Sequence, residues 1–431
     1  MYFCYRDTAG KLVELLGALP LALDQAGAYV REMSCDLARY LKLYQKRGYE
    51  LLRERGILVN ELDHPDPITV TWLLSLEKVE QANPKAIELL NICAFLHPDG
   101  IPEEVFGDWD DLELDRALKV VLQFSFVWRD SGMLRIHRLV QGILRHELGE
   151  EQRNWAEKAV LAVYNVFPQS DIEISEWPTC ERLLPCALTC AELIEEWKLE
   201  SEEAGVLLNQ IASYLNGSKA DYESAKSLYK LSLAIFEKIY GEEHSSVATS
   251  LNNLAILYKT QGDYKAAKPL YERALVIDEK IYGKEHPDVA INLNNLALLY
   301  YDQDDYKAAK PLYERALAIL EKNYGKEHPS VATGLNNLAG LYYVQGDYKK
   351  AKTLLERVLT IFEKVYSKEH PSVATSLNSL AVFYNSQGDY KAAKTLYERA
   401  IKIANMFFEP DHPTVLLYSE NYALLLEEMK K

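Results

Sequence analysis

The stretch LNNLAILYKTQGDYKAAKPLY, Leu251–Tyr271, recurs along the second half of the chain. Close copies follow at steps of 42 residues, at Leu293–Tyr313, Leu335–Leu355 and Leu377–Tyr397. A weaker copy, Leu208–Tyr229, comes before and has one extra residue in its turn. A final copy, Tyr418–Met429, stops after one helix. Self-similarity at a fixed period of this length is typical of stacked repeat architectures. The period therefore decides the fold of this half of the chain.

Within one copy, apolar residues fall at helical spacing twice, first along Leu251–Tyr258 and again along Tyr264–Leu275. The intervening QGDY supplies a break, because Gly262 can adopt the left-handed conformation that ends a helix and Asp263 can cap the next one. Each unit is thus predicted to be a pair of amphipathic helices. One such pair cannot bury its apolar faces, whereas a stack of five with a terminal helix can.

A second motif, GKEHP at Gly283–Pro287, marks the joints between units, and its five histidines stand 42 residues apart at His244, His286, His328, His370 and His412. Packed helices lie about 8–10 Å apart, whereas zinc–nitrogen bonds are about 2 Å, so neighbouring units cannot share one ion. Proline is favoured at the first position of a helix. We therefore predict that each histidine lies at or just before an N-cap, packed on the preceding helix. A pH-sensitive or ligand-binding role is the alternative.

The pattern Leu251-x-x-Leu254-Ala255-x-x-Tyr258, followed by Ala267, Tyr271 and Ala274, resembles the tetratricopeptide repeat. The unit length, the doubled asparagine and the HPxVA stretch are similar to the long-helix variety in kinesin light chains. The resemblance covers residues 205–431. It implies an all-α, right-handed superhelix of helical hairpins whose first helices line a concave groove.

Asparagine recurs inside the first helices, although it is mediocre in helix interiors. The resemblance places the second asparagine of each doublet where family members contact the backbone of a bound peptide, and an amide can both donate to and accept from an extended chain. The predicted groove residues are Asn252, Asn253, Asn294, Asn295, Asn336, Asn337 and Asn378. The alternative is an asparagine ladder that joins neighbouring helices without a ligand.

Further groove positions restrict the class of ligand that is expected. One turn before and after the doublets lie Thr249, Ile256, Ile291, Leu298, Thr333, Gly340, Thr375 and Val382, none of which is basic. Family members that clamp a C-terminal carboxylate carry lysine or arginine there, so capture of a free peptide end is not expected. Tyr301, Tyr343 and Asn385 offer flat surfaces and hydrogen bonds for an internal peptide segment, or they only solvate the rim.

The first two hundred residues have a different sequence pattern. Helical patterns around Leu15–Glu32, Ala86–Leu96 and Arg116–Phe124 precede FVWRDSGMLRIH, Phe126–His137, which alternates like a β-hairpin, and then HRLVQGILRHEL. Helices, one hairpin and another helix describe a winged helix. The predicted domains are a helical subdomain (1–62), a winged helix (63–149), a helical linker (150–204) and the repeats with a capping helix (205–431).

These elements resemble the C-terminal part of an NB-ARC module, the nucleotide-switched ATPase core of STAND signalling proteins. ALPLAL (Ala18–Leu23) is similar to the family's GLPLA motif, and IHR (Ile136–Arg138) lies where the family has MHD, although Ala18 replaces Gly and Arg138 replaces Asp. The resemblance implies that Pro20 and His137 face a nucleotide. No GxxxxGK[ST] phosphate loop occurs, so we expect no cofactor or ATPase activity in this chain. ADP or ATP would require a missing nucleotide-binding domain, and the start in mid-motif favours truncation of a longer parent.

Charge and composition restrict the partners. Residues 1–200 carry 21 Lys and Arg against 34 Asp and Glu, and no basic face suited to nucleic acid or an anionic membrane is expected. The N-terminus lacks the features of a signal peptide, and six cysteines are sparse for 431 residues, so we expect a cytoplasmic location. Cys180, Cys186 and Cys190 lack zinc-site spacing and are predicted to line a buried helix face.

No nucleophile and base, metal motif or complete nucleotide site is found, so an enzyme is not expected. The leading hypothesis is a protein-binding module, the sensor and transmission part of a STAND-type switch, with a protein or peptide partner. Oligomerisation would belong to a full-length parent. The alternative is a constitutive scaffold or cargo adaptor similar to kinesin light chains.

Overall fold

The computed structural model describes residues 2–16, 35–47, 79–124, 126–169 and 174–430, together with the single positions 23, 30, 76 and 172. Contacts divide the chain into two compact units. The first comprises Met1–Pro168 with Pro178–Leu199, and the second comprises Gln169–Trp177 with Glu200–Lys431. ALPLAL and Pro20 lie outside the described residues, apart from Leu23.

The described part of the first unit is helical with one small sheet. Its helices are α1 (Tyr2–Leu15), α2 (Leu37–Arg47), α3 (Pro84–Ala94), α4 (Asp111–Gln123), α5 (Arg138–Leu148), α6 (Gln152–Val166) and α7 (Trp177–Trp197, whose first residue belongs to the second unit). Its strands are β1 (Ile101–Pro102), β2 (Val127–Asp130) and β3 (Met133–Ile136), antiparallel in the order β1-β3-β2. The expected hairpin and the helix after it are confirmed.

The hairpin turn and the core under it follow from local sequence. Ser131 and Gly132 both have positive φ, as a tight two-residue hairpin requires, and Asp130 pairs with Met133 across the turn. In α5 the buried Gln141 donates to the carbonyls of Cys93 and Leu96, both at 2.8 Å. Both carbonyls lie at or just beyond the end of α3, so the amide adds hydrogen bonds where the helix supplies few; the Cys93 carbonyl also accepts the N–H of Leu96 at 3.3 Å.

The second unit consists of five helical hairpins and a terminal helix within residues 200–430. They are α8/α9 (Glu202–Tyr214, Tyr222–Tyr240), α10/α11 (Ser245–Thr260, Tyr264–Tyr282), α12/α13 (Pro287–Asp302, Tyr306–Tyr324), α14/α15 (Pro329–Val344, Tyr348–Val365), α16/α17 (Pro371–Ser386, Tyr390–Ala404) and α18 (Pro413–Glu428). We number the hairpins repeats 1 to 5. The all-α repeat architecture is confirmed. The extra residue of repeat 1 is taken up in a π-helical turn, Leu215–Lys219.

Within a repeat, the predicted break between helices is observed. Gly262 has a φ of 78° and Asp263 accepts from the backbone N–H of Ala266. Repeat 3 has Asp304 instead of glycine, yet it keeps the left-handed conformation with a φ of 61°. Aspartate tolerates this region better than most residues with a side chain.

Between repeats, the histidines act as N-caps, as predicted. In His328 the Nδ1 atom accepts from the N–H of Ser330 at 3.2 Å, and the ring stacks on Tyr324 with centroids 4.4 Å apart. The other four histidines repeat both features, with Phe408 as the ring partner of His412. GKEHP is therefore a structural joint.

An arginine on each second helix reinforces the same joints. Arg357 binds Glu321 of the preceding repeat at 3.0 Å and donates to the carbonyl of Lys326, inside the joint, at 2.8 Å. The corresponding pairs are Arg273–Glu237, Arg315–Glu279 and Arg399–Glu363. Because they join consecutive second helices, these pairs fix the offset between repeats at the side opposite the first helices.

Candidate functional site

The predicted groove asparagines lie in the middle of the first helices and are all at least partly buried. Asn252 and Asn378 are 9% and 8% exposed, and the others are intermediate. None projects freely into solvent. Their hydrogen bonds therefore determine whether they are free to meet a ligand.

At both ends of the array these amides bond to one another. Asn253 donates to Asn209 at 3.3 Å, Asn295 donates to Asn252 at 3.0 Å, and Asn421 of α18 donates to Asn378 at 3.3 Å. In each rung the second asparagine of one repeat bonds the first asparagine of the repeat before it. The ladder considered as the alternative role thus exists between repeats 1 and 3 and between repeat 5 and α18.

In the middle of the array the ladder is interrupted. The buried side-chain oxygens of Asn294 and Asn336 have no partner. The Asn337 side chain is partly exposed and, among the described residues, forms no rung with Asn294. Ser379 stands where the next donor would be, but its hydroxyl is too short and bonds back to the carbonyl of Thr375. The two buried oxygens are costly in a folded protein, whereas the partly exposed Asn337 amide keeps its hydrogen-bonding capacity at the surface.

The three rim residues, Tyr301, Tyr343 and Asn385, lie on the first helices and pack against neighbouring residues. Tyr301 and Tyr343 are partly buried, with their rings 5.5 Å from Tyr306 and 5.7 Å from Tyr348. Burial raises the pKa of Tyr301. A Cβ placed on Gly340 would lie 3.6 Å from the Tyr301 hydroxyl, so this tyrosine reaches over the first helix of the next repeat. The side-chain oxygen of Asn385 is buried without a partner.

A cavity of about 500 Å³ lies between the first helices of repeats 1 to 3 and the second helix of repeat 2, beside Ile172 and Trp177. Its lining mixes polar and apolar groups and includes Asn252 and Asn253, and no described lysine, arginine or histidine is part of it. Two carboxylates, Asp278 and Asp288, do line it. Asp278 belongs to no recurring motif. It stands out when the repeats are aligned, because the other repeats have an apolar residue in its place: Phe236, Leu320, Phe362 and Ala404.

Other candidate residues have structural roles. His137 caps α5 by accepting from the N–H of Leu139. Cys180, Cys186 and Cys190 form the predicted buried face of α7, where burial raises the pKa of Cys186 to about 12. Among the residues that the structure describes, no three His, Cys, Asp or Glu side chains gather as a metal site, and no helix is long and apolar enough to cross a bilayer.

Comparison with known families agrees with the repeat geometry. Residues 203–280, 264–322, 330–406 and 372–431 match the tetratricopeptide repeat, and a second description of that repeat matches residues 294–364. The matches cover slightly over half of the chain.

The chain belongs to the tetratricopeptide-repeat family.

Such repeats are protein–protein interaction modules and generally not enzymes, so this tetratricopeptide protein carries an interaction module in its second unit. Residues 77–153 match a further family, described as a domain of unknown function, DUF7779. That match includes α3, the sheet and α5.

A curated relative links the chain to larger proteins. The chain is 31% identical over 265 residues to a nucleotide-binding leucine-rich repeat (NLR)-like protein of Hyaloscypha variabilis. The match covers 57% of this chain and 26% of that protein, so the chain spans about a quarter of the relative's length.

Solved structures include similar repeats. One holds the nearly identical TPR-like repeats of a kinesin light chain from Podosopora anserina, at 30% identity, 47% of this chain, 97% of that chain and a TM-score of 0.38. Another is BtubC (BKLC) from P. vanneervenii, at 23% identity and a TM-score of 0.40, covering 59% of this chain and 94% of that chain.

Sequence reasoning missed four functional candidates. Asn209 stands in the weaker first copy, where glutamine replaces the second asparagine of the doublet, and Asn421 stands in the truncated sixth copy. Asp278 and Asn292 depart from their columns only in repeat 2 and repeat 3, respectively. A motif search looks for what recurs, and each of these residues is an exception.

Proposed function

We propose that the first helices of the repeats bind an extended internal segment of a protein partner, with the contact centred on repeats 3 and 4. The observation that carries this proposal is the interruption of the asparagine ladder. Where the amides bond to each other they are satisfied, whereas the buried oxygens of Asn294 and Asn336 are not, and the partly exposed Asn337 amide forms no rung. An extended backbone, with alternating N–H and C=O groups, supplies the missing donors and acceptors.

Other residues of the groove favour an internal segment of the partner over its free end. The groove positions flanking the doublets carry no lysine or arginine to hold a terminal carboxylate. Tyr301 and Tyr343 add amphipathic rings beside the unpaired amides. The pattern favours main-chain recognition supplemented by side-chain contacts.

Asparagine substitutions separate binding from stiffening. Asn337→Ala should weaken binding of a peptide by about tenfold, equivalent to about 1.4 kcal/mol, because it removes an amide that has no internal partner. Asn295→Ala is the matched control, since it removes a rung and should lower stability while leaving peptide affinity within about twofold. The probe is a peptide with blocked ends, selected from a displayed random library on the wild-type chain, and affinity is read by fluorescence anisotropy.

The opposite pattern would reject the proposal. If Asn337→Ala binds the selected peptide as tightly as wild type, or if no blocked peptide can be selected, the groove is not the recognition surface. The triple replacement of Asn253, Asn295 and Asn337 by alanine, checked for helical content by circular dichroism, then shows whether the asparagines serve only to hold the repeats together.

We further propose that this chain is the sensor and transmission part of a STAND-type switch rather than a constitutive adaptor. Support comes from the IHR motif, the helical and winged-helix elements of the first unit and the similarity to an NLR-like protein. In such a switch, a segment bound to the repeats biases the equilibrium between nucleotide states. The full-length gene product should then bind the selected peptide with an affinity that differs between ADP and ATP, and equal affinities would favour the adaptor.

A further inference from the structure

Asp278 stands at a helix position that is buried and apolar in the other four repeats. The corresponding residues are Phe236, Leu320, Phe362 and Ala404, all of which belong to the core. Asp278 is equally enclosed, at 6% exposed. A carboxylate at an otherwise apolar register lowers stability unless something compensates for its lost hydration.

The protein supplies only part of that compensation. The Asn292 amide donates to the Oδ2 atom of Asp278 at 2.6 Å, which holds the carboxylate in one orientation. Among the described residues, no lysine or arginine comes within ion-pair distance of it. The neighbouring charged groups are Asp288, which opposes ionisation of Asp278, and His286, which favours it. Asp278 is thus an oriented carboxylate that no lysine or arginine of the described residues neutralises.

The cavity in front of Asp278 has the size and lining to provide that partner. Its volume of about 500 Å³ is within the usual range for ligand sites, which is roughly 300–1,000 Å³. Asp278 and Asp288 are its charged lining residues, and the remainder is mostly amides, hydroxyls and aromatic rings. A recess with charge of one sign attracts an extended side chain of the other sign.

We propose that this cavity is a specificity pocket for a basic side chain, arginine or lysine, of the bound segment. The proposal rests on the binding of an extended segment described above and names what that segment must contain. Asp278 forms the ion pair, Asn292 orients it, and the asparagines at the mouth of the cavity belong to the same helix face as Asn337. A basic residue in the segment therefore enters the cavity while its main chain runs along the groove.

The test compares residue preference in the wild type and in Asp278→Asn, which keeps the shape of the side chain and removes its charge. Selection from the blocked random-peptide library should enrich arginine or lysine at one position on the wild type. Replacing that residue by citrulline, the neutral isostere of arginine, should weaken binding to the wild type by about tenfold to a hundredfold. Binding to Asp278→Asn should be weak for both peptides.

Two controls define the remaining outcomes. Glu314→Gln removes an exposed carboxylate that, among the described residues, pairs with Lys310 on its own helix, and it should preserve the preference. Asp278→Leu takes the residue of the next repeat, so a stable fold with lost preference separates recognition from folding. Parallel arms with arginine and lysine peptides, and with a free N-terminal amine, establish which cation the pocket takes.

Failure of this proposal differs from failure of the groove. If peptides bind through Asn337 with no basic preference, or if Asp278→Asn retains the preference, the pocket proposal is overturned and the groove stands. If no peptide binds at all, N-acetyl-arginine amide is titrated into the wild type and Asp278→Asn with thermal unfolding as readout. A rise in Tm for the wild type alone supports the pocket without the groove, and equal responses reject it.

Discussion

The histidines of the joints each hold several contacts with a single side chain. In every joint the Nδ1 atom accepts a backbone N–H, so the lone pair of that nitrogen makes the cap and Nε2 is left to face other groups. In His412 the Nε2–H then donates to the carbonyl of Gly217 at 3.0 Å. One ring thus caps a helix, stacks on an aromatic residue and, in the last joint, reaches repeat 1.

Asp278 gives the repeat array a pH dependence. Burial raises the pKa of Asp278 from 3.8 to about 6, helped by Asp288 and opposed by the Asn292 hydrogen bond and by His286. Since the folded-state pKa is above the unfolded value, the stabilising contribution is full below pH 3.8 and is lost as the pH rises through about 6. Between about pH 5 and 7.5 the loss is about 1 kcal/mol.

Asp278→Asn should therefore gain stability relative to wild type as the pH rises. We expect the difference in free energy of unfolding to shift by about 1 kcal/mol in favour of the variant between about pH 5 and 7.5. Urea denaturation followed by circular dichroism at both pH values measures it, with Glu314→Gln as the control that should run parallel to wild type. A constant difference between Asp278→Asn and wild type would contradict a raised pKa.

At the scale of helices, the sequence was sufficient wherever a pattern recurs. Two apolar stripes per period, a glycine and a capping aspartate predict the hairpins, and His-Pro predicts where each new helix begins. The ladder could not be predicted in full, because the same doublet forms a rung at Asn295 and Asn252 but leaves the Asn294 oxygen without a partner, and the sequence pattern is identical at both places. Asp304 is a further exception, since a side chain occupies a turn position that glycine fills in repeats 2, 4 and 5.

Replacing Asp304 by glycine should stabilise repeat 3. Its φ of 61° is strained for a residue with a Cβ and unstrained for glycine, so we expect a gain of about 0.5–1 kcal/mol. The matched opposite change is Gly346→Asp in repeat 4, where φ is 78° and a loss of similar size is expected. Thermal unfolding of both variants decides the matter, and a fall in Tm for Asp304→Gly would show that the aspartate contributes more than its backbone conformation costs.

At the scale of the whole repeat unit, the two ends of the array meet. Trp177 packs edge-on against Tyr214 of repeat 1 and against Phe408, which follows repeat 5, with centroids 6.5 and 5.3 Å apart. Stacked repeats otherwise contact only their neighbours, so their stability is close to a sum of local terms. A contact between the ends adds a term that all repeats share, and it fixes the curvature along which the groove asparagines and the Asp278 cavity are arranged.

Removing the Trp177 ring should release the two ends. Edge-on aromatic pairs contribute about 0.5–1.5 kcal/mol each, so Trp177→Ala leaves the ends joined mainly by the hydrogen bond from His412 to Gly217, and open forms become populated. Spin labels at Lys219→Cys and Glu409→Cys, exposed positions beside the contact, report the distance by pulsed electron resonance once background labelling is subtracted with the unsubstituted chain. We expect one short, narrow distance distribution in the wild type and a broader, longer one in Trp177→Ala.

Trp128→Ala, which removes a half-exposed indole from β2, is the control and should leave the distance distribution unchanged. An unaltered distribution in Trp177→Ala would mean that the repeats hold their curvature without the end contact, and the arginine and histidine joints alone would then set the shape of the groove.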